Sequence, residues 1–120
     1  MNERVRFITH RGKQILLVDL SNCSAAQVDK LVRQVPEVVT AQARASVLIL
    51  SDYTGAEVDK EAIRTIEQSA VFDKPFVKRS AWVGAEHFPE VFRKNLKSFS
   101  GREFPIFKTR EDAVEWLTAE

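Results

Sequence analysis

A chain of 120 residues with 44% apolar side chains has the size and make-up of one ordinary globular domain. Its 18 Lys and Arg against 17 Asp and Glu leave a net charge of +1, which gives no sign of a disordered tail, a strong field for nucleic acid or an acidic substrate. One cysteine, Cys23, excludes an internal disulfide, and the longest apolar runs, ILLV and VLIL, are too short to cross a bilayer.

The start, MNERVRFITHRGKQ, is charged where a signal peptide needs an apolar stretch. We therefore expect a cytoplasmic protein with no integral membrane segment and a single domain over 1–120. Val5 and Phe7 alternate with Arg4 and Arg6, the period of a half-buried strand. ILLV reads as a strand covered on both faces. Arg11-Gly12 between the two runs predicts an antiparallel hairpin.

Ser24 followed by Gln27 has the spacing of a capping box, and Val28, Leu31, Val32 and Val35 form the stripe of the helix it opens. Pro36 predicts a kink or restart, because it cannot donate to the helical ladder. SVLILS is the third strand. A helix starting near Asp59 carries Ile63, Ile66 and Ala70 on one face. FVKRSAWVG is the fourth strand, and a helix with Phe88, Phe92, Leu96 and Phe99 follows, stopped by Gly101. EFPIFK gives a short fifth strand. The last helix is capped by Thr109, with Val114, Trp116 and Leu117 turned inward. The order β-β-α-β-α-β-α-β-α implies an α/β (α+β variant) domain with a mixed, mostly parallel five-stranded sheet.

Ligands and partners of open α/β sheets collect beyond the carboxyl ends of the strands. Asp19-Leu20-Ser21 and Asp52-Tyr53-Thr54 both lie there, so Asp19, Ser21, Asp52 and Thr54 are expected to converge on one rim, with Asp59 and Lys60 beside them. Asp and Thr also make turns by satisfying backbone N–H groups. A nucleophilic Asp52 in phosphoryl transfer would need Mg²⁺ and a nearby cation such as Lys60 or Lys78. No Gly-rich phosphate loop accompanies it. His10 and His87 lack paired zinc spacing, so no metal or other cofactor is expected. Residues 91–102, VFRKNLKSFSGR, hold Arg93, Lys94, Lys97 and Arg102 without an acid, a second candidate face for an acidic partner or a membrane surface.

The order of elements, VLILSDYTGAEVDKEAI, FVKRSAWVG and FKTREDAVEWL together resemble the STAS-like group, in its uncharacterised branch related to the anti-sigma-factor antagonists (SpoIIAA-like). The resemblance covers nearly the whole chain. It implies a regulatory module that works through protein contacts without catalysis. In the antagonists a serine at the start of the second helix is phosphorylated; here Lys60 and Glu61 stand at the matching positions, so that control is not expected. The expected partner is a protein, nucleic acid is not expected, and homodimerisation is left open. Folds related to the STAS-like group, the helical-lid lipid carriers of the CRAL-TRIO type, suggest a second use, a small apolar ligand held by Phe88, Phe92 and Phe99.

Overall fold

The first two strands form the expected hairpin, β1 (Val5–His10) and β2 (Lys13–Asp19), with His10 paired to Lys13 across a two-residue turn. Arg11 and Gly12 both take positive φ, 53° and 76°, the backbone that a tight hairpin turn requires. The computed structural model describes residues 3–119. Beyond the hairpin come α1 (Ala25–Val32), α2 (Val35–Val39), β3 (Val47–Asp52), α3 (Lys60–Asp73), β4 (Val77–Val83), α4 (Glu90–Ser100), β5 (Ile106–Phe107) and α5 (Arg110–Thr118). A 3₁₀ turn over Lys74–Phe76 links α3 to β4. The sheet runs β1-β2-β3-β4-β5, with β1 antiparallel to β2 and every later pair parallel.

Local chemistry explains the helix boundaries. Ser24 accepts from the Gln27 amide while the Gln27 side chain accepts from the Ser24 amide, closing the capping box at the start of α1. The predicted break at Pro36 is a restart, because Pro36 lies in the first turn of α2. Asp59 caps α3 through the Ala62 amide at 2.8 Å. Gly101 ends α4 in the left-handed region, at φ 67°.

Alternation along the central strands makes two cores. Leu16, Val18, Ile49 and Trp82 face α1, α3 and α4. Ile15, Leu17, Leu48, Leu50, Ala81 and Val83 face α5 through Ala113, Val114 and Leu117. Each fully buried Leu or Ile here is worth about 1.5–3 kcal/mol of transfer free energy. Three sequence expectations need correction. Phe88 precedes α4, and Phe99, on its last turn, is 64% exposed. Trp116 is not packed inward with Val114 and Leu117. It lies at the surface with the Arg79 guanidinium 5.4 Å from its ring centre and Phe107 at 5.8 Å.

Candidate functional site

Strand alternation decides where the two aspartates point. Asp19 is two residues beyond Leu17 and Asp52 two beyond Leu50, so both belong to the α5 side of the sheet. They are register partners on the parallel pair β2 and β3. Opposite charges would be expected across such a pair, and two like charges are destabilising unless something compensates.

The compensation is Arg110, the first residue of α5. Its Nε donates to Asp52 Oδ2 at 2.7 Å, and its Nη2 lies 3.1 Å from Asp19 Oδ1. Each aspartate also closes its own turn. Asp19 Oδ1 accepts from the Ser21 amide at 3.1 Å and the Ser21 hydroxyl at 2.6 Å. Asp52 Oδ1 accepts from the Thr54 amide at 3.0 Å and the Thr54 hydroxyl at 2.7 Å. The two turns are thus built alike. Arg4 supports the first, with Nη1 donating to the carbonyls of Asp19 and Ser21 at 3.1 and 3.0 Å and lying 3.8 Å from Asp19 Oδ1.

Burial acts against the charged form of Asp19, but the Ser21 hydrogen bonds and the Arg110 charge outweigh it and hold the carboxyl below its ordinary value. Burial likewise opposes the charge on Arg110, and the bond to Asp52 with the two carboxylate charges raises it above the usual guanidinium value. Cys23, buried beneath this corner, is pushed up by burial, although Arg4 Nη1 sits 3.2 Å from its sulfur.

The backbone beyond the strand ends keeps the rim tight. Leu20 N–H donates to the Asp52 carbonyl at 2.9 Å and Asn22 N–H to the Thr54 carbonyl at 2.8 Å, extending the β2–β3 ladder into the turns. Tyr53 N–H donates to the Val83 carbonyl at 2.8 Å. Gly84, at φ 70°, crosses so closely that a Cβ there would fall 2.3 Å from Thr54 Oγ1 and 2.8 Å from its Cα. Only a glycine fits that crossing.

Of the six rim residues expected from sequence, Asp19, Ser21, Asp52 and Thr54 meet in this network. Asp59 and Lys60 do not join it: they open α3, which covers the opposite face. Lys60 and Glu61 occupy the first two helical positions. The second candidate face changes character. Lys94 pairs with Glu90 at 3.3 Å and Lys97 with Glu103 at 3.1 Å, while Arg93 is half-buried. Arg102 turns inward, donating to the Ala70 carbonyl at 2.8 Å and Ser80 Oγ at 2.5 Å. These four cations therefore do not form a continuous basic surface.

The expected apolar-ligand face is not formed either. Phe88 and Phe92 are buried in a cluster of rings with Tyr53 and Trp82, at centroid distances of 4.9 to 6.2 Å, whereas Phe99 points out. Trp82 of β4 packs edge-on against Tyr53 and Phe88 and stacks on Phe92, so these rings form part of the core.

Arg110 is not among the residues expected from sequence. A signal for it exists: a cation at the first position of a helix opposes the helix dipole, so its presence points to a tertiary partner. As chemistry, the arrangement leaves Asp52 poorly placed as a nucleophile. Both its oxygens are engaged and its side chain is 7% exposed. Among the described residues no three His, Cys, Asp or Glu side chains converge as a metal site, and no helix is long and apolar enough to cross a membrane.

No family model matches the sequence, and no curated protein matches it significantly. The chain is similar to a solved structure from Shewanella loihica PV-4, an uncharacterized protein from the DUF3478 family with a SpoIIAA-like fold. The two share 16% identity over 94% of this chain and 91% of that one, with a TM-score of 0.66. The mixed sheet, its hairpin entry and its helical cover are therefore those of a SpoIIAA-like, STAS-type fold.

Proposed function

We propose that this protein is a non-catalytic regulatory module of the STAS-like type, acting in the cytoplasm by binding another protein through the Asp19–Ser21 and Asp52–Thr54 turns and Arg110. The observation that carries this reading is one guanidinium shared by two carboxylates at the carboxyl edge of a parallel sheet. Arg110 is 38% exposed in its side chain, so the cation that locks the two corners is also within a partner's reach. Rigid elements supply the positions and loops supply the contacts, the usual division of labour at recognition surfaces. The helix-start phosphoserine switch of the antagonists has no counterpart, because Lys60 cannot accept a phosphoryl group.

Affinity capture from the native host with wild type and an Arg110→Glu variant tests the proposal. A partner retained by the wild type and lost by the variant, with the variant folded by circular dichroism, is the expected result. Identical partner sets for the two proteins reject the rim as the working surface. An Asp59→Ala, Lys60→Ala pair serves as the comparison, since those residues lie apart from the Arg110 network and are expected to leave capture unchanged.

A further inference from the structure

A cavity of about 40 Å³ lies between the sheet and α3, on the side away from Arg110. Its lining is mixed: Ile49, Ile66 and Trp82 are apolar, while Ser69, Asp73 and Arg102 are polar or charged. Asp73, the last residue of α3, is 2% exposed. Its Oδ2 accepts from the Ser69 hydroxyl at 2.7 Å, and its Oδ1 has no hydrogen-bond partner among the described residues.

That orphaned oxygen is costly. A buried polar atom without a partner has given up its hydration with nothing in return, and the loss is greater when it is charged. The carboxyl also sits at the C-terminal end of a helix, where the dipole disfavours negative charge. Arg102 contributes the opposite charge from the connection between α4 and β5, with one N–H of each Nη directed to the Ala70 carbonyl and Ser80 Oγ and none to Asp73. Its guanidinium stacks 4.8 Å from the Phe104 ring centre, which fixes it where it is. Asp73 and Arg102 thus line one cavity, and no ion pair joins them among the described residues.

We propose that this cavity is an internal acid site, in which Asp73 binds and releases a proton through a small cluster of water molecules shared with Arg102. One buried water needs roughly 10–15 Å³ of free interior space and two to four polar partners. The cavity meets both conditions and is far too small for a lipid. Ionisation transfers the carboxyl proton to the adjacent water and from there to bulk solvent, so only O–H bonds are made and broken.

The groups facing Asp73 are few. Ser69 on its own helix donates to it, Arg102 faces it from the α4–β5 connection, and Tyr53 lines the cavity from the end of β3. Burial holds the Tyr53 phenol protonated, above its usual range. The lining residues from β4, Ser80 and Trp82, and from α1 and α2, Val32 and Val35, carry no charge. Lys74, next along the chain, is exposed. Burial raises the Asp73 carboxyl to about 6, with the Ser69 bond and the Arg102 charge pulling in the other direction.

Carbon-13 NMR of the Asp73 side-chain carboxyl between pH 3 and 8, on the full chain, tests the site. The expected midpoint is about 6, with cross-peaks from a long-lived water to protons of Ile49 and Ala70. Asp73→Asn assigns the signal by removing it. Arg102→Gln is expected to move the midpoint upward, since it removes the charge that favours the carboxylate. Titration at the ordinary carboxylate value, absence of the water cross-peaks, or an unchanged midpoint in a folded Arg102→Gln overturns the proposal. If Arg102→Gln does not fold, the wild-type midpoint and cross-peaks decide.

Discussion

Asp52 and Arg110 are joined at 2.7 Å although 58 residues separate them, and this bond ties the end of a central strand to the start of the last helix. It is asymmetric in burial: the carboxylate side chain is 7% exposed and the guanidinium 38%. Removing the cation therefore harms more than removing a surface ion pair would. It strands a buried carboxylate beside a second one.

Arg110→Ala is expected to destabilise the fold by about 1–3 kcal/mol, the cost of leaving a buried charged acceptor without its donor. Urea unfolding at pH 7 measures it. A loss below about 0.5 kcal/mol would mean the pair behaves like an exposed one.

Gly84→Ala should cost more than Gly12→Ala. Both glycines hold a left-handed φ, 70° and 76°, but a Cβ at Gly84 meets Thr54 at 2.3 Å whereas one at Gly12 meets nothing within 4 Å. Backbone strain is common to the two, so their difference reports the steric clash at the rim. Thermal melts showing equal losses would contradict the close crossing.

The pH dependence of stability contains two opposing contributions. Asp19 is depressed when folded, so its contribution is present above its unfolded value near 3.8 and is lost as pH falls through the lower folded value. Asp73 is raised to about 6, so its proton-bound form favours the fold below pH 3.8 and that advantage is lost as pH rises through 6. Asp73→Asn, which stays neutral, is expected to gain on the wild type between pH 4 and 7 by up to about 3 kcal/mol, because each tenfold difference in proton affinity between the folded and unfolded chain is worth about 1.4 kcal/mol. Urea midpoints at pH 4, 5 and 7 check this. A gap between the two proteins that does not change with pH refutes it.

Phe92→Ala is expected to cost about 3–5 kcal/mol, as for a buried aromatic, and Phe99→Ala less than about 0.5 kcal/mol. Chemical denaturation of the pair measures the contrast. Comparable losses would place Phe99 in the core after all.

These residues also mark how far the chain could be read. The apolar runs ending at Asp19 and Asp52 made the strands, their ends and the shared rim legible, because strand period and turn chemistry are local. Helix starts at Ser24, Asp59 and Thr109 were legible for the same reason. Phe99 differs from expectation because Phe92, Leu96 and Phe99 fit a helical stripe as well as the observed one, Phe92, Leu96 and Ser100. At about 100° per residue the two stripes differ by a modest rotation, which only neighbouring elements can fix.

Sequence by itself determined the order of elements, the hairpin entry, the capped helix starts and the aspartate-ended strands, since each depends on residues within a turn or two of one another. Tertiary structure decided that Arg110 closes the aspartate pair and that Arg102 turns inward toward the cavity of Asp73. Those outcomes come from charges compensated across distant segments once water is excluded, and no local pattern records which buried charge will find which partner.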